Sequence, residues 1–566
     1  MAKHINRRKF LKYSLATTVL VWAGEEIPRH LGLSLADVKQ LFSINPAVAA
    51  SSVFPQSVAS GDPQSNGITL WTRVVPQATN PKVAIEIADN SSFTGNLLRG
   101  MTAPVNASLD FTVKATVSTP TLKPFQTYYY RFIHNGVASP IGRFKTLPEP
   151  GANLDKVRFV YLSCQDYTAG YYTPLSYLAE EDIDFVVHLG DYIYENVGDR
   201  SSQSNRLRPI VLPSGNPQAE TLDDYRFLYK TYKSDPNLQR VHERFAFITI
   251  WDDHEFANDS YREYSTDTPN ESQNRNAQRR QAANQAWAEY TATSVPFKAN
   301  EQPLNSLKIY RSFVFGNLLE LVMTDERLYR DAPPCGLEQR YLSPGCANQN
   351  NPQRTMLGNP QKPWFLNTIR QSPCTWKIWG NEVMFMQLKV LGKFASELLQ
   401  KPTPDLYISL DQWDGYPAER AEILRTLRDA GVKNFITITG DIHSFAAGYQ
   451  KVNFDNPLDP NVGICFVGGS VTSSNFSEMT TFSNGMPVPP IEQVTQVLRA
   501  SNPHLEYFNS VTHGYNVIEA TPEAVTCTMK AVDTIKQPQA NLSILKVFRV
   551  PRDKVVIQDV GDESTG

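Results

Sequence analysis

Two bodies follow one another along the chain, a small all-β unit and then a larger layered α/β domain, and three observations predict them. From residue 53 to about 148, short apolar runs alternate with polar residues at a period near two. Beyond residue 155, five nearly continuous apolar runs are separated by helix-like segments, as expected for strands buried on both faces. Each of those five runs stops at a residue of metal-ligand type. At 566 residues the chain exceeds one ordinary core, so more than one domain is expected.

Before both bodies lies "MAKHINRRKFLKYSLATTVLVWAGEEIP". Its basic start, short apolar segment and early Glu25-Glu26 describe an export leader rather than an anchor. Arg7-Arg8, followed by Phe10-Leu11-Lys12, resembles a twin-arginine signal, which implies the twin-arginine export machinery as a partner and an exported location. The leader is taken as 1–50, with Ala47-Val48-Ala49 as the best small-x-small cleavage site. No apolar run of about 18 residues follows it, so no later bilayer span is expected.

Within 53–148, "ITLWTRVVP", "KVAIEIADN", "DFTVKATVS" and "TYYYRFIHNG" read as strands with no helical period between them. They predict a β-sandwich of the immunoglobulin or fibronectin type, with a structural or substrate-shaping role. The α/β domain is expected over 155–550, with a tail over 551–566. Its apolar runs are "VRFVYLSC", "DFVVHLGDYIYE", "FAFITIWDDHE", "WKIWGNEVMF" and "NFITITGDIHS". Loops at the carboxyl ends of such strands are where ligands bind. Those ends offer Cys164, then Asp191 with Tyr194, then Asp252-Asp253-His254, then Asn381, then Asp441 with His443.

One aspartate at a strand end is an ordinary cap or turn former. Five strand ends of this kind, converging, would repel strongly without cations. Thiolate and phenolate donors suit a highly charged ion such as Fe(III), whereas carboxylate and amide oxygens suit Ca(II), Mg(II) or Mn(II). Cys164 and Tyr194 on one side, with Asp253 and asparagine ligands on the other, would hold two unlike ions bridged by Asp191. Such a pair suits phosphoester cleavage, with His254 placed to give a proton to the leaving oxygen.

Together "SCQDY", "DFVVHLGDYIYE", "WDDHEFAND", "GNEVM", "DQWDGYPAER" and "GDIHS" resemble the PhoD-type alkaline phosphatases, within the calcineurin-like metallophosphoesterases. The resemblance runs from about residue 53 to near 550, and it implies a layered metallophosphoesterase sheet-and-helix catalytic domain behind the sandwich. It implies Fe(3+) and Ca(2+) as cofactors, held by Cys164, a bridging Asp191, Tyr194 as tyrosinate, Asp253, Asp441 and His443, with His254 and Asp191 catalytic. Asn258 and Asn381 are weaker candidates for metal or phosphate contact. The implied chemistry is direct attack of metal-bound hydroxide on phosphorus, in a secreted, monomeric alkaline phosphatase. Its substrates would be phosphoester small molecules or polymers.

Two alternatives stay open at this point. One keeps the fold and makes the chain a phosphodiesterase acting on nucleotides, phospholipids or teichoic-acid-like polymers. The other is a surface adhesin carrying a relict site. A net charge of −3 argues against a specific nucleic-acid partner.

Other features have simpler readings. Arg327 and Arg330 in "MTDERLYRD" are placed either to grip phosphate or to pair with an acid such as Asp325. His188 reads as a core histidine, "FVGGSVTSSNF" as a turn, and the arginines of "SQNRNAQRRQAANQAW" as a solvated helix face. His513 is a remote candidate for reaching the site. Cys335 and Cys346 flank a Pro/Gly-rich loop, either as a disulfide or as two free thiols.

Overall fold

The computed structural model describes residues 46–75, 82–95, 97–198, 206–479 and 488–561. The Arg7-Arg8 signal lies outside them. Among the described residues no helix is long and apolar enough to cross a membrane.

The fold is mixed α/β, built on two large sheets that face each other. In the ten-stranded sheet, Val157–Leu162, Phe185–His188 and Ala246–Thr249 lie side by side and parallel. In the seven-stranded sheet, Leu319–Met323, Trp376–Gly380, Phe435–Thr439 and Asn461–Val467 do the same. The five apolar runs read from the sequence are therefore strands, divided between two sheets. Phe185 of the first sheet stacks on Phe315 of the second at 4.6 Å, and the Tyr161 hydroxyl donates to the Phe466 carbonyl at 3.0 Å.

Alternation explains why the runs read as continuously apolar. On the strand Trp376–Gly380, Trp376 and Ile378 enter the core between the sheets, while Trp379 enters a second core under the outer helices. Ile436 and Ile438 divide from Phe435 in the same way. Helices Gly358–Gln371 and Pro417–Asp429 supply Phe365, Ile369, Ile423 and Leu427 to that second core. Helices Leu222–Tyr232, Pro236–Arg244 and Ala277–Tyr290 pack on the first sheet through Leu228, Val241 and Trp287.

The region 53–148 does not stand apart as the sequence suggests. Val58–Gln64 pairs in parallel with Ala246–Thr249, registering Ser60 with Ala246 and Gly61 with Phe247. Gly67–Arg73 and Thr112–Ser118 continue the same sheet to its edge. The remaining strands of this region form a separate five-stranded sheet. The two layers share a core of Val58, Ile68, Leu70, Ile85, Tyr130 and Phe132. Trp71 is buried instead in the core between the two large sheets, where its indole N–H donates to the Glu289 carbonyl at 2.7 Å. At the other edge, Leu542–Pro551 turns back onto Gln558–Asp559, so pairing continues past residue 551.

One surface reading is corrected. Arg279 and Arg280 are buried, not solvated. Arg279 pairs with Asp267 at 2.7 Å and donates to the Ala219 carbonyl, while Arg280 lies 4.7 Å over the ring of Trp251. Cys335 and Cys346 are disulfide-bonded, and Cys164, Cys374, Cys465 and Cys527 are free and buried.

Gly61 sits where Val58–Gln64 joins the ten-stranded sheet, and a Cβ there would lie 2.1 Å from the Ala292 carbonyl oxygen and 2.6 Å from that of Phe247. Both obstacles are backbone and cannot swing aside. Gly61→Ala is expected to destabilise the whole protein by about 1–3 kcal/mol in urea denaturation. A loss confined to the N-terminal region, with the catalytic unfolding transition unmoved, would show that the sheets are not coupled.

Candidate metal centre

Four of the five strand ends, those bearing Cys164, Asp191, Asp252-Asp253-His254 and Asp441 with His443, meet at one rim. Backbone strain marks four of their residues: Cys164, Asp191, Asp441 and His443 have φ of 59°, 55°, 67° and 51°. Left-handed backbone costs a side-chain-bearing residue about 1–3 kcal/mol, so surrounding bonds must fix it. The Cys164 carbonyl accepts N–H donors from Thr472 and Ser473 at 3.3 and 3.2 Å, and the Asp191 N–H donates to Glu255 Oε2 at 3.0 Å. The same Glu255 oxygen takes the Asp252 N–H at 2.8 Å, which ties the second strand end to the third. Gly190 is needed at their contact, since a Cβ there would sit 2.3 Å from the Asp252 nitrogen.

Four trios of potential ligands result, each with its donor atoms within 4.8 Å of one another. They are Cys164–Asp191–His443, Asp191–Asp253–His254, Asp252–Asp253–Asp441 and Asp253–Asp259–Asp411. Asp191 links the first two, and Asp253 links the last three. Tyr194 joins at the first trio: its hydroxyl donates to Asp191 Oδ2 at 2.7 Å and lies 3.5 Å from His443 Nε2. His443 Nδ1 sits 2.7 Å from the Ser474 carbonyl, which assigns the proton to that nitrogen and leaves the Nε2 lone pair free to ligate. Burial holds the His443 pKa down to about 4, so the ring stays neutral.

His254 stacks on the Tyr194 ring at 4.1 Å, and its Nδ1 lies 2.6 Å from Glu195 Oε2. The other Glu195 oxygen takes the Asn258 backbone N–H at 3.0 Å. Asn258 is half-buried beside this pair, with its carbonyl bonded to the Thr266 hydroxyl. Asn381 is turned away from the rim: its amide donates to the Val383 carbonyl, and its side-chain oxygen accepts from Trp413 at 3.0 Å.

Arg327 is fully buried among the acids. Its guanidinium pairs with Asp252, with Asp411 at 2.6 Å and with Asp441 at 3.0 Å. The side chain thus pairs with acids, as one of its two sequence readings expects, although Asp325 takes only the Arg327 backbone N–H and the ion-pair partners are other aspartates. Arg330 caps Asp411 at 2.5 Å, and Arg340 reaches Asp259 at 2.8 Å.

The electrostatics divide along these pairs. Although burial opposes it, Arg327 and Arg330 hold Asp411 well below the ordinary carboxylate range. Asp191 and Asp441 are pushed far up, first by burial and then by neighbouring aspartates. Burial, followed by the Asp191 charge, also raises Cys164 and Tyr194. These four groups keep their protons unless a cation displaces them. Asp253 Oδ1 is buried without a hydrogen-bond partner, as befits an oxygen meant for an ion. The donor set thus fits metal ions: sulfur, phenol, imidazole and carboxylate at one end, carboxylates at the other.

Sequence reasoning missed Glu195, Glu255, Asp259, Asp411 and Ser473. Asp411 stands in "DQWDGYPAER", just past the strand Leu406–Ser409, where a strand-end signal was present. His513 remains outside the trios, paired with Glu478 at 2.9 Å.

Comparison with known proteins places the chain in a family. The family model described as PhoD-like phosphatase matches residues 159–529, and its N-terminal domain matches residues 41–148. The chain is 32% identical to alkaline phosphatase D of Bacillus subtilis (strain 168) over 568 aligned positions, covering 98% of this chain and 89% of that protein. A solved structure of PhoD superposes with a TM-score of 0.79 at 30% identity, covering 91% of this chain and 93% of that one. The fold and its assembled rim define a phosphoric ester hydrolase with groups able to hold metal ions. The chain belongs to the PhoD-like phosphatase family. The adhesin alternative falls away.

Two tests follow. Arg327→Met leaves Asp252, Asp411 and Asp441 without their shared cation, and should cost about 3–5 kcal/mol of stability in chelator-treated protein, partly recovered by added calcium. Equal stability of parent and variant in chelator would refute this counter-ion role. His188, by contrast, is a buried core histidine whose pKa is pressed down by burial and then by Lys233, from 6.5 to about 3. As pH falls through that interval only the unfolded chain binds this proton, so stability drops by up to about 1.4 kcal/mol per pH unit. His188→Asn should flatten the acid limb of stability against pH; an unchanged slope would contradict the assignment.

Proposed function

We propose that this chain is an exported alkaline phosphatase that releases phosphate from organic phosphoesters by direct attack of water-derived hydroxide on phosphorus. The observation that carries the reading is Asp191, shared between a trio containing a thiol and a trio containing His254. In this reading Cys164, Asp191, Tyr194 and His443 would hold Fe(3+), and Asp191, Asp253 and Asp441 would hold Ca(2+). Bound there, the ions would supply Lewis acidity, which polarises the phosphoester and acidifies water. The chain's own groups do the rest.

Glu195 against Nδ1 fixes the His254 ring, and its Nε2 is the atom assigned to pass a proton to the leaving oxygen. The oxygen of Asp191 not engaged by Tyr194 takes the His254 backbone N–H at 3.4 Å, keeping the carboxylate shared by two trios and the acid in register. Arg327 favours the ionised form of Asp252 and Asp441 against burial and the neighbouring aspartates, easing ligation rather than meeting substrate. The N-terminal motif supports export through the twin-arginine route, and the chain is proposed to act as a monomer.

Metal analysis of the exported protein, with a paired nitrophenyl phosphate and bis-nitrophenyl phosphate assay, tests the reading. Iron, calcium and a visible tyrosinate band are expected, with faster release from the monoester. Faster diester cleavage would transfer the assignment to the phosphodiesterase alternative. His254→Gln should lower kcat by about 100-fold to 10,000-fold with metal content intact. Asp191→Ala should lose both metals and activity, and phosphate release persisting in it would reject the mechanism.

A further inference from the structure

The loop Ser470–Asn475 does more than end a strand. Ser473 Oγ lies 2.6 Å from the Tyr194 hydroxyl, 2.9 Å from the Cys164 carbonyl and 3.2 Å from the Asp166 N–H that donates to it. Ser470 Oγ donates to the Ser473 carbonyl at 2.5 Å, and the next carbonyl, that of Ser474, holds His443 Nδ1. Ser470 and Ser473 are fully buried, so water does not substitute for these bonds. One dipeptide therefore touches Cys164, Tyr194 and His443 together.

A serine hydroxyl has a single proton to give. The Cys164 carbonyl already accepts the Thr472 and Ser473 amides. The Tyr194 proton goes to Asp191 Oδ2, which leaves the phenol oxygen facing Ser473 as an acceptor. The Ser473 proton accordingly points to Tyr194.

We propose that Ser473 is a positioning residue that aims the Tyr194 oxygen at the ion shared with Cys164 and His443 and sets how strongly that oxygen donates electrons. This rests on the reading that Fe(3+) occupies that trio. A hydrogen bond to a phenolate lowers its lone-pair energy, so phenolate-to-metal charge transfer needs more energy with the bond than without it. Removing the hydroxyl moves the visible band to longer wavelength and loosens the ligand.

The test uses the full chain loaded with iron, as parent, Ser473→Ala and Ser473→Thr, compared by absorption spectrum, iron content and thermal melting. Ser473→Ala is expected to melt near the parent, to show a red-shifted band and to lose about 10–100-fold in iron affinity. Ser473→Thr, which keeps a hydroxyl, should restore the parent wavelength. An alanine variant that holds iron with the band unmoved overturns the proposal, assigning the serine proton to the Cys164 carbonyl. Loss of iron from both variants also overturns it, because packing rather than the hydroxyl would then be the requirement. If the parent binds iron without a visible band, the iron–tyrosinate reading itself fails and the proposal falls with it.

Discussion

Mutual repulsion among buried carboxylates is the constraint on which this architecture depends. Asp191, Asp252, Asp253, Asp259, Asp411 and Asp441 meet in linked trios, all buried except the half-buried Asp441, so water screens them little. Arg327 answers part of that repulsion, pairing with Asp252, Asp253, Asp411 and Asp441, while Arg330 adds a second pair to Asp411 and Arg340 secures Asp259. Asp191 has no arginine among its contacts in the trios; its charge is left for an ion, or it stays protonated. A fully compensated cluster would be an inert ion-pair network. An uncompensated one would not fold. The protein sits between these limits, and the shortfall lies at the residue shared by the sulfur-bearing and histidine-bearing trios.

Rigidity at the rim comes from the two sheets behind it. After Val157–Leu162, Phe185–His188 and Phe435–Thr439 the chain turns through left-handed backbone at Cys164, Asp191 and Asp441, which only dense bonding tolerates. Glu255 shows how this is done without touching a ligand atom: its two oxygens collect the N–H groups of Asp191, Tyr192 and Asp252. Burial lifts its pKa to about 7, despite those bonds. Ser473 and Ser474 play the corresponding part from the second sheet's side. Ligand geometry is thus decided one layer out from the ligands.

Legibility in the sequence followed the same division. Strand ends could be read because an apolar run that stops at Cys164, Asp191 or Asp441 is a local signal. The residues that hold those ligands could not, since Glu195, Glu255 and Ser473 act across sequence separations of 59, 63 and 279 residues. Arg327 was visible as a basic residue after a strand, but which acids fall beside it depends on tertiary packing. Arg279 and Arg280 were misread because a helix covered by other elements on its charged side shows the same pattern as a solvated one. The parallel pairing of Val58–Gln64 with Ala246–Thr249 leaves no local trace at all, so the N-terminal unit looked more independent than it is.

That pairing also governs the order in which the chain can be built. Ser60 leaves the ribosome long before Ala246, its partner in the register, and at ordinary elongation rates the wait is on the order of ten seconds or more. During it, one edge of the N-terminal layer offers unpaired amides and carbonyls to any passing strand. Nascent chains of this protein therefore go through an aggregation-exposed interval set by topology rather than by stability. Only when the third strand of the catalytic sheet has emerged can the first segment close.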